Sequence, residues 1–167
     1  MTDQKIPIGL QLYSVRHELA HDPAGTLRKV AAMGYGGVEF FGAPRHSADE
    51  LRAMLDEAGL VCCGWHTPYA LVQEDTLFPT IAFNKALDND KIIVPSLPRD
   101  LTQTRAGWLE QAQFFNQLAE KLAPYDMMTG YHNHGVEFQT LEGEWPWYTL
   151  FDNTDPAVVM QFDTGNA

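Results

Sequence analysis

Short hydrophobic runs alternate along this chain with longer segments in which apolar residues recur every three to four positions. The short runs are typical of buried strands, and the longer period is typical of amphipathic helices. The pattern therefore predicts a regular alternation of strand and helix. The predicted strands cover residues 6–13, 38–41, 60–65 and 91–95, a fifth that ends in the stretch 130–138, and a sixth over 158–162.

Local capping signals mark the ends of the intervening helices. Asp22-Pro23 is an N-cap residue followed by proline at the first helical position. Ser47 and Glu50 have the spacing of a capping box, and Gly59 should end the helix that they begin. The predicted helices cover residues 23–33, 47–58, 76–87, 103–122 and 144–153. Pro79 should lie in the first turn of its helix, because a later proline removes a backbone hydrogen bond.

Nearly continuous hydrophobic strands, each followed by a helix, indicate a parallel sheet covered by helices. Doubly wound sheets and (β/α)8 barrels both satisfy this pattern. No glycine-rich nucleotide-binding motif follows a strand. The barrel is favoured because polar residues recur at strand ends, and in a barrel these ends surround one mouth. The residues concerned are Glu39, His66, His132, His134 and Asp163.

Length and charge restrict the classes of partner. The chain has 167 residues, about the length of one domain, and a formal net charge of -11 with a pI near 4.8. Such a charge opposes attraction to nucleic-acid phosphates. The N-terminus lacks the apolar segment of a signal peptide, and no apolar run approaches ~18 residues. We therefore expect a cytoplasmic protein that binds neither nucleic acid nor membrane, with Cys62 and Cys63 reduced.

Candidate chemistry is concentrated in the stretch 130–138. If its backbone is extended, His132 and His134 project from the same face. A second short strand ends on Asp163. Imidazole and carboxylate at the ends of neighbouring strands suggest a metal site or an acid/base site, and these donors suit several divalent transition metals.

Five motifs, taken together and in this order, resemble the xylose isomerase-like TIM barrel superfamily, and in particular its sugar phosphate isomerase/epimerase branch. The motifs are Ile8–Arg16, Gly34–Glu39, Tyr131–His134, Glu137-Phe138 and Phe162–Asn166. The resemblance implies a (β/α)8 barrel with a divalent metal (Mn, Mg, Co or Zn) at its mouth. It also implies a proton shift on a metal-bound keto or aldo sugar or sugar phosphate.

A complete barrel of this kind has eight strands and roughly 250 residues. We therefore expect residues 1–167 to form a single domain that lacks strands seven and eight. In the superfamily those two strands supply a histidine and a glutamate ligand. Many members also carry a ligating glutamate where His132 stands. The resemblance therefore does not decide whether this chain is an active enzyme.

The resemblance assigns roles to residues at the strand ends. It implies His132 and Asp163 as metal ligands, and Glu39 with His132 as catalytic residues. The implied substrate-binding residues are Tyr13, His66 and His134.

Other roles remain possible for several of these residues. Asp163 could cap the turn before Gly165, and His132 could be a core histidine. Glu39 could pair with Arg45. Glu137 is expected to be structural, pairing within its own loop.

The sequence leaves three functions open. The first is a divalent-metal-dependent sugar isomerase or epimerase. The second is a non-catalytic sugar-binding or assembly protein, or an inactive barrel fragment. The third, an endonuclease of the same superfamily, is disfavoured by the negative charge.

An open sheet of six strands should also associate with itself. Its first and last strands would have unpaired edges, and residues assigned to the barrel interior would meet water. We therefore expect a homo-oligomer. The interior residues concerned are Leu10, Leu12, Met160 and Phe162.

Overall fold

The computed structural model of the protein describes residues 6–167 and contains one sheet of six parallel strands. The strands are neighbours in chain order, from β1 at one edge to β6 at the other. This arrangement confirms the predicted α/β class and the order expected for the first six units of a (β/α)8 barrel. The strands are β1 (Gly9–Gln11), β2 (Gly37–Phe41), β3 (Val61–His66), β4 (Lys91–Val94), β5 (Met128–His132) and β6 (Val158–Gln161).

Helices follow each of the first five strands and cover one face of the sheet. They are α1 (Arg16–His21), α2 (Pro23–Ala32), α3 (Ala48–Ala58), α4 (Glu74–Ala86), α5 (Arg105–Leu122) and α6 (Pro146–Phe151). The first strand is shorter than predicted, because the backbone turns into a 3-10 helix at Leu12–Val15. The side chain of Gln11 caps that helix by accepting from the backbone N–H of Tyr13.

The capping signals in the sequence act as predicted at two helices. The Asp22 carboxylate accepts from the backbone N–H of Gly25 at 2.9 Å and begins α2. Ser47 and Glu50 form a reciprocal capping box at the start of α3, and Gly59 ends it in the left-handed region at φ +69°. Such a cap is worth about 1 kcal/mol.

The prediction for Pro79 was wrong. Helix α4 begins two residues earlier than expected, because Gln73 and Thr76 form a capping box there. Pro79 therefore lies in the second turn, inside the helix. It leaves the Asp75 carbonyl without its usual helical donor. Both residues are exposed, so water can hydrate that carbonyl.

The two faces of the sheet differ sharply in character. The helix-covered face carries the core, which is divided into a cluster around Leu27 and Leu55 and a second around Trp108 and Phe115. The opposite face is concave in a barrel and here carries mainly polar and small side chains. The polar side chains near the carboxyl ends of the strands on this face are Gln11, Glu39, His66, His132 and Gln161.

The assignment of four hydrophobic residues to the barrel interior was wrong. Leu12 is fully buried, and Leu10 packs against the same helix-side cluster. Met160 shares the face of Tyr131, its partner in β5, and Tyr131 belongs to the helix-side core. Phe162 packs edge-on against Trp147 near α6. Alternation along a strand fixes which residues share a face, but it does not say which face is inside.

Two features of the described residues bear on association and membranes. Within residues 6–167, β1 and β6 each have a single neighbouring strand. Met160 in β6 and Phe162 just after it are 58% and 52% exposed. No helix in the same range is both long enough and apolar enough to cross a membrane.

We predict that this chain self-associates through the β6 side of the sheet. Sedimentation velocity at low micromolar concentration should show a dimer or larger species, because an unpaired strand edge next to exposed apolar side chains favours pairing. The double variant Met160→Lys/Phe162→Lys should shift the chain towards monomer. Met33→Lys, at a 73% exposed residue beyond the end of α2, is the matched control and should not. A compact, cooperatively melting monomer of the parent chain would contradict the prediction.

Candidate functional site

Five side chains from five strands meet at the carboxyl ends of the sheet and form what we call the polar centre. They are Gln11 of β1, Glu39 of β2, His66 of β3, His132 of β5 and Gln161 of β6. Parallel pairing brings them together, because Gln11 lies opposite Glu39 and His132 lies opposite Gln161 in the register of neighbouring strands. Side chains at paired positions project from the same face.

Glu39 and His66 form a largely buried contact of the polar centre. His66 Nε2 lies 3.1 Å from Glu39 Oε2, and the two side chains are only 9% and 13% exposed. A bulge in β3 between the partners of Val38 and Glu39 places Gly64 opposite Glu39. A Cβ atom at Gly64 would lie 2.6 Å from Glu39 Oε1. Glycine at this position therefore provides the space that the carboxylate occupies.

Gln161 connects the remaining members of the polar centre. Its Nε2 donates to Glu39 Oε1 at 2.7 Å. Its Oε1 lies 2.6 Å from His66 Nε2 and 3.0 Å from His132 Nδ1. Because an ionised carboxylate only accepts hydrogen bonds, the amide nitrogen must face Glu39 and the amide oxygen must face the two imidazoles.

This orientation fixes where the imidazoles carry their protons. The amide oxygen of Gln161 accepts, so the hydrogen atoms lie on His66 Nε2 and His132 Nδ1. In the neutral ring of His132, Nε2 then keeps a free lone pair. At His66, Nδ1 lies 3.1 Å from Gln11 Nε2 and accepts from it, because Gln11 Oε1 is occupied by the backbone N–H of Tyr13.

The pKa values of His66 and His132 are shifted in opposite directions. Burial opposes a positive charge on His66, but the hydrogen bond and charge of Glu39 outweigh burial and raise the pKa of His66 above its ordinary value. Burial, together with the neighbouring imidazoles of His66 and His134, lowers the pKa of His132. The rings of His66 and His132 are 4.5 Å apart, so a charge on one disfavours a charge on the other.

Asp163 lies just beyond β6 and faces His132. Its Oδ2 is 3.7 Å from His132 Nε2, which confirms the predicted proximity of these two tips at adjacent strand ends. Asp163 also has the turn-capping role considered from the sequence, since its Oδ1 accepts from the backbone N–H of Gly165 at 2.7 Å. Asn133 holds the backbone of Asp163 on both sides, accepting from its N–H at 2.7 Å and donating to its carbonyl at 3.0 Å.

The donor pair at His132 and Asp163 is compatible with two ligands of one metal ion. Two atoms bound to the same ion at about 2 Å each lie no more than about 4 Å apart. His132 Nε2 and Asp163 Oδ2 satisfy this limit, and the lone pair on Nε2 is the form that a metal requires. Across residues 6–167, however, no group of three or more His, Cys, Asp or Glu side chains is arranged to hold a metal ion. The described residues therefore bring two possible ligands together, fewer than the three or four protein ligands of a usual metal site.

Besides Asp163, three residues with predicted roles lie outside the polar centre. His134 is exposed, with its ring 5.1 Å from that of His132, and so faces the mouth. Tyr13 is 56% exposed and lines a separate cavity beside the mouth. Glu137 is fully buried and accepts from the Tyr131 hydroxyl and from the backbone N–H of His134, so its predicted structural role is confirmed. Arg45, the alternative partner of Glu39, lines the same separate cavity as Tyr13.

Gln11 and Gln161 were not among the predicted site residues. Neither titrates, and neither is a usual metal ligand, so neither attracts attention in a search for catalytic residues. Gln11 lies in the motif Ile8–Arg16, and Gln161 directly precedes the motif Phe162–Asn166. Each is a polar residue near the carboxyl end of a predicted strand. Applying that criterion to amides as well as to charged residues would have found both.

Comparison with solved structures establishes the fold. A sugar phosphate isomerase/epimerase from Parabacteroides distasonis superposes with a TM-score of 0.81 at 24% identity, over 99% of this chain and 68% of that one. A family 2 AP endonuclease from Brucella melitensis gives a TM-score of 0.73 at 19% identity, over 97% and 70% of the two chains. A D-psicose 3-epimerase, determined in the presence of D-fructose, gives 0.66 at 15% identity, over 95% and 64%.

These similarities extend to the fold alone, because all three identities are below 25%. No protein-family model matches the sequence, and no curated protein matches it either. The chain spans between 64% and 70% of the length of these three structures. It therefore has the fold of the xylose isomerase-like TIM barrels, of which it forms six strands and the helices between them.

Proposed function

We propose that this protein is a divalent-metal-dependent isomerase or epimerase that moves a proton on a small sugar or sugar phosphate. The observation that carries the proposal is the arrangement at the mouth. A possible ligand pair, His132 and Asp163, lies near a largely buried carboxylate, Glu39, that accepts a hydrogen bond from Gln161 and contacts the imidazole of His66. Sugar isomerases and epimerases among the structures with this fold support the same class of reaction.

A metal ion held by His132 Nε2 and Asp163 Oδ2 would polarise the carbonyl oxygen of a bound sugar, which acidifies the neighbouring carbon. Glu39 is the base that we assign to that carbon. Its two oxygens are held by Gln161 Nε2 at 2.7 Å and by His66 Nε2 at 3.1 Å, so the carboxylate cannot rotate away from the mouth. A base in a fixed position contributes through orientation as well as basicity.

His66 and His134 complete the assignment. His66 supports the negative charge of Glu39 before a proton is taken up, because its Nε2 lies 3.1 Å from Oε2. His134 is exposed beside His132 and can donate to or accept from sugar hydroxyl groups. Tyr13 is better placed to contact a substituent that extends from the mouth towards its own cavity.

A non-catalytic sugar-binding protein remains the alternative, because the described residues supply only part of a ligand set. The two proposals differ in whether the protein exchanges a substrate proton. The endonuclease alternative is disfavoured, although one of the similar structures is an AP endonuclease. A net charge of -11 repels a phosphate backbone, and binding to DNA requires clustered cations.

We predict that purified chain binds Mn²⁺, Co²⁺ or Zn²⁺ and that His132→Ala abolishes this binding. Isothermal titration with the metal chloride should give one saturable site in the parent protein. Asp163→Asn should also abolish binding, because an amide oxygen replaces a charged ligand. The asparagine keeps an acceptor for the Gly165 N–H and therefore preserves the turn. His21→Ala, at an exposed histidine of α1, is the control and should bind as the parent does. Unchanged affinity in either site variant would remove that residue from the ligand set.

We predict that Gln161→Leu weakens metal binding by roughly 10- to 100-fold, as loss of an outer hydrogen bond to a ligand does elsewhere. Leucine leaves His132 Nδ1 without its acceptor, so the ring can place its proton on Nε2 instead. The control is Gln113→Leu at an exposed position of α5. In the variant, ¹⁵N spectra of the imidazoles should show loss of the single Nδ1–H tautomer of His132. A variant with the parent's tautomer and affinity would show that Gln161 does not position this ring.

We predict that the metal-loaded protein catalyses exchange of a substrate proton with D₂O. Deuterium should appear at the carbon next to the carbonyl of the sugar substrate. A panel of ketoses, aldoses and their phosphates can be followed by proton NMR, which detects exchange even where the net reaction is small. Glu39→Gln should lose exchange by at least ~10²-fold while keeping metal affinity, because it removes the base. Glu57→Gln, which removes a carboxylate paired with Arg28 away from the mouth, is the control. Metal and sugar binding without exchange would favour the non-catalytic alternative.

A further inference from the structure

A second cavity lies beside the polar centre, on the other side of the sheet. Its volume is about 400 Å³, and it is enclosed by the 3-10 helix after β1, by α1, and by the segment between β2 and α3. None of the five side chains of the polar centre lines it. Its floor is formed by Leu27, Phe40 and Leu51, which belong to the core between sheet and helices. Its volume and apolar floor are typical of sites for small organic molecules.

The aromatic walls of this cavity are held by their own contacts. Phe40 and Trp65 stack with ring centroids 4.8 Å apart, and Tyr13 packs edge-on against Phe41 at 5.2 Å. The indole N–H of Trp65 donates to the Gly42 carbonyl at 2.8 Å, which fixes the start of the segment between β2 and α3. The cavity therefore does not depend on a ligand to hold its walls in place.

Basic side chains line the cavity, and no aspartate or glutamate does. They are Arg16, His17, Arg45 and His46, of which the two arginines carry a fixed positive charge. This composition is unusual in a chain that has 22 acidic residues and 11 lysines and arginines. Among residues 6–167, Arg45 forms no salt bridge or side-chain hydrogen bond. These groups can therefore attract an anion into an otherwise acidic surface.

The two arginines differ in how they are held. The Arg16 guanidinium lies 4.5 Å over the ring of Tyr13, and one of its N–H groups donates to the Tyr13 carbonyl at 3.0 Å. This contact directs Arg16 along the wall of the cavity and leaves further N–H groups for a ligand. Arg45 is exposed and free to close on a bound group.

We propose that this cavity binds a small organic anion that has an apolar or aromatic body and a single acidic group. The body would lie against Phe40, Trp65 and Leu27, and the acidic group would be bound by Arg16 and Arg45. Guanidinium groups bind carboxylate, sulfonate and phosphate through paired charge-assisted hydrogen bonds. An unsubstituted sugar fits this cavity poorly, because its hydroxyl groups would lose water against the apolar floor. The proposal is therefore independent of the function proposed for the polar centre.

A matched pair of fluorescent probes tests this proposal on the full chain. The anionic probe is 8-anilino-1-naphthalenesulfonate, and the neutral probe is N-phenyl-1-naphthylamine, which has the same aromatic body without the sulfonate. The parent protein should bind one anionic probe per chain. Arg16→Gln/Arg45→Gln should lower the affinity for the anionic probe at least ~10-fold, since loss of one charge-assisted hydrogen bond lowers an affinity by about that factor. The same variant should change the affinity of the neutral probe less than twofold.

Three further variants distinguish binding in the cavity from general effects at the surface. Arg28→Gln/Arg99→Gln removes the same total charge from arginines that do not line the cavity, and it should leave both probes unchanged. Ala20→Trp places a large side chain into the cavity from an exposed position of α1, so folding should be retained while both probes lose binding. Ala32→Trp, exposed at the end of α2 and away from the cavity, should have no effect.

Each result of these binding measurements either supports the proposal or overturns it. Selective loss of the anionic probe in the cavity arginine variant, with loss of both probes in Ala20→Trp, supports the proposal. Equal weakening by the two double arginine variants would overturn it, because net charge alone would then explain the affinity. Unchanged binding in Ala20→Trp would also overturn it, because it would place the probe elsewhere, for example on the exposed aromatic side chains near Trp145.

Discussion

The amide of Gln161 is the group on which the arrangement of the polar centre depends. It stands between a carboxylate that must accept and two imidazoles that must then donate, so only one orientation satisfies Glu39, His66 and His132 together. If the amide were reversed, its oxygen would face the Glu39 carboxylate and that contact would become repulsive. The parallel register of β5 and β6 makes this possible, because it places His132 directly opposite Gln161.

The close approach of the strands requires glycine at particular positions of the sequence. Gly130 faces Val159 across β5 and β6, and a Cβ atom there would overlap the Val159 carbonyl oxygen. Gly64 leaves room for the Glu39 carboxylate in the same manner. Both glycines have ordinary backbone angles, so their role lies in the missing side chain. Small residues in the strands thus permit large polar residues at the strand ends.

Much of the fold could be predicted from the sequence because its signals are local. The caps at Asp22 and Ser47 depend on residues three positions apart, and the order of strands follows from the alternation of strand and helix. The wrong predictions arise where a contact distant in sequence determines which face of the sheet a residue projects from. Leu10 and Met160 were assigned to the wrong face, because alternation gives a period of two without its phase. The neighbouring helices fix the phase, and they are distant in sequence.

The candidate site was predicted in part for the same reason. Glu39, His66, His132 and Asp163 stand at strand ends, where parallel strands converge, and the structure brings them together in pairs. The role of Gln161 arises only from its partners, since an amide has no charge or titration to mark it. Its contact with Glu39 joins residues 122 positions apart, and no local pattern encodes such a pairing.

Strand β3 connects the two sites that we propose. Its successive residues Trp65 and His66 project from opposite faces of the sheet, so that one lines the second cavity and the next belongs to the polar centre. Gln11 makes a further connection, because its oxygen accepts from the Tyr13 N–H at the cavity while its nitrogen contacts His66 Nδ1. A ligand that shifts Tyr13 would therefore act on the hydrogen bond that holds the His66 tautomer. By thermodynamic reciprocity, any such coupling must work in both directions, so a ligand at the polar centre would change affinity in the cavity by the same factor.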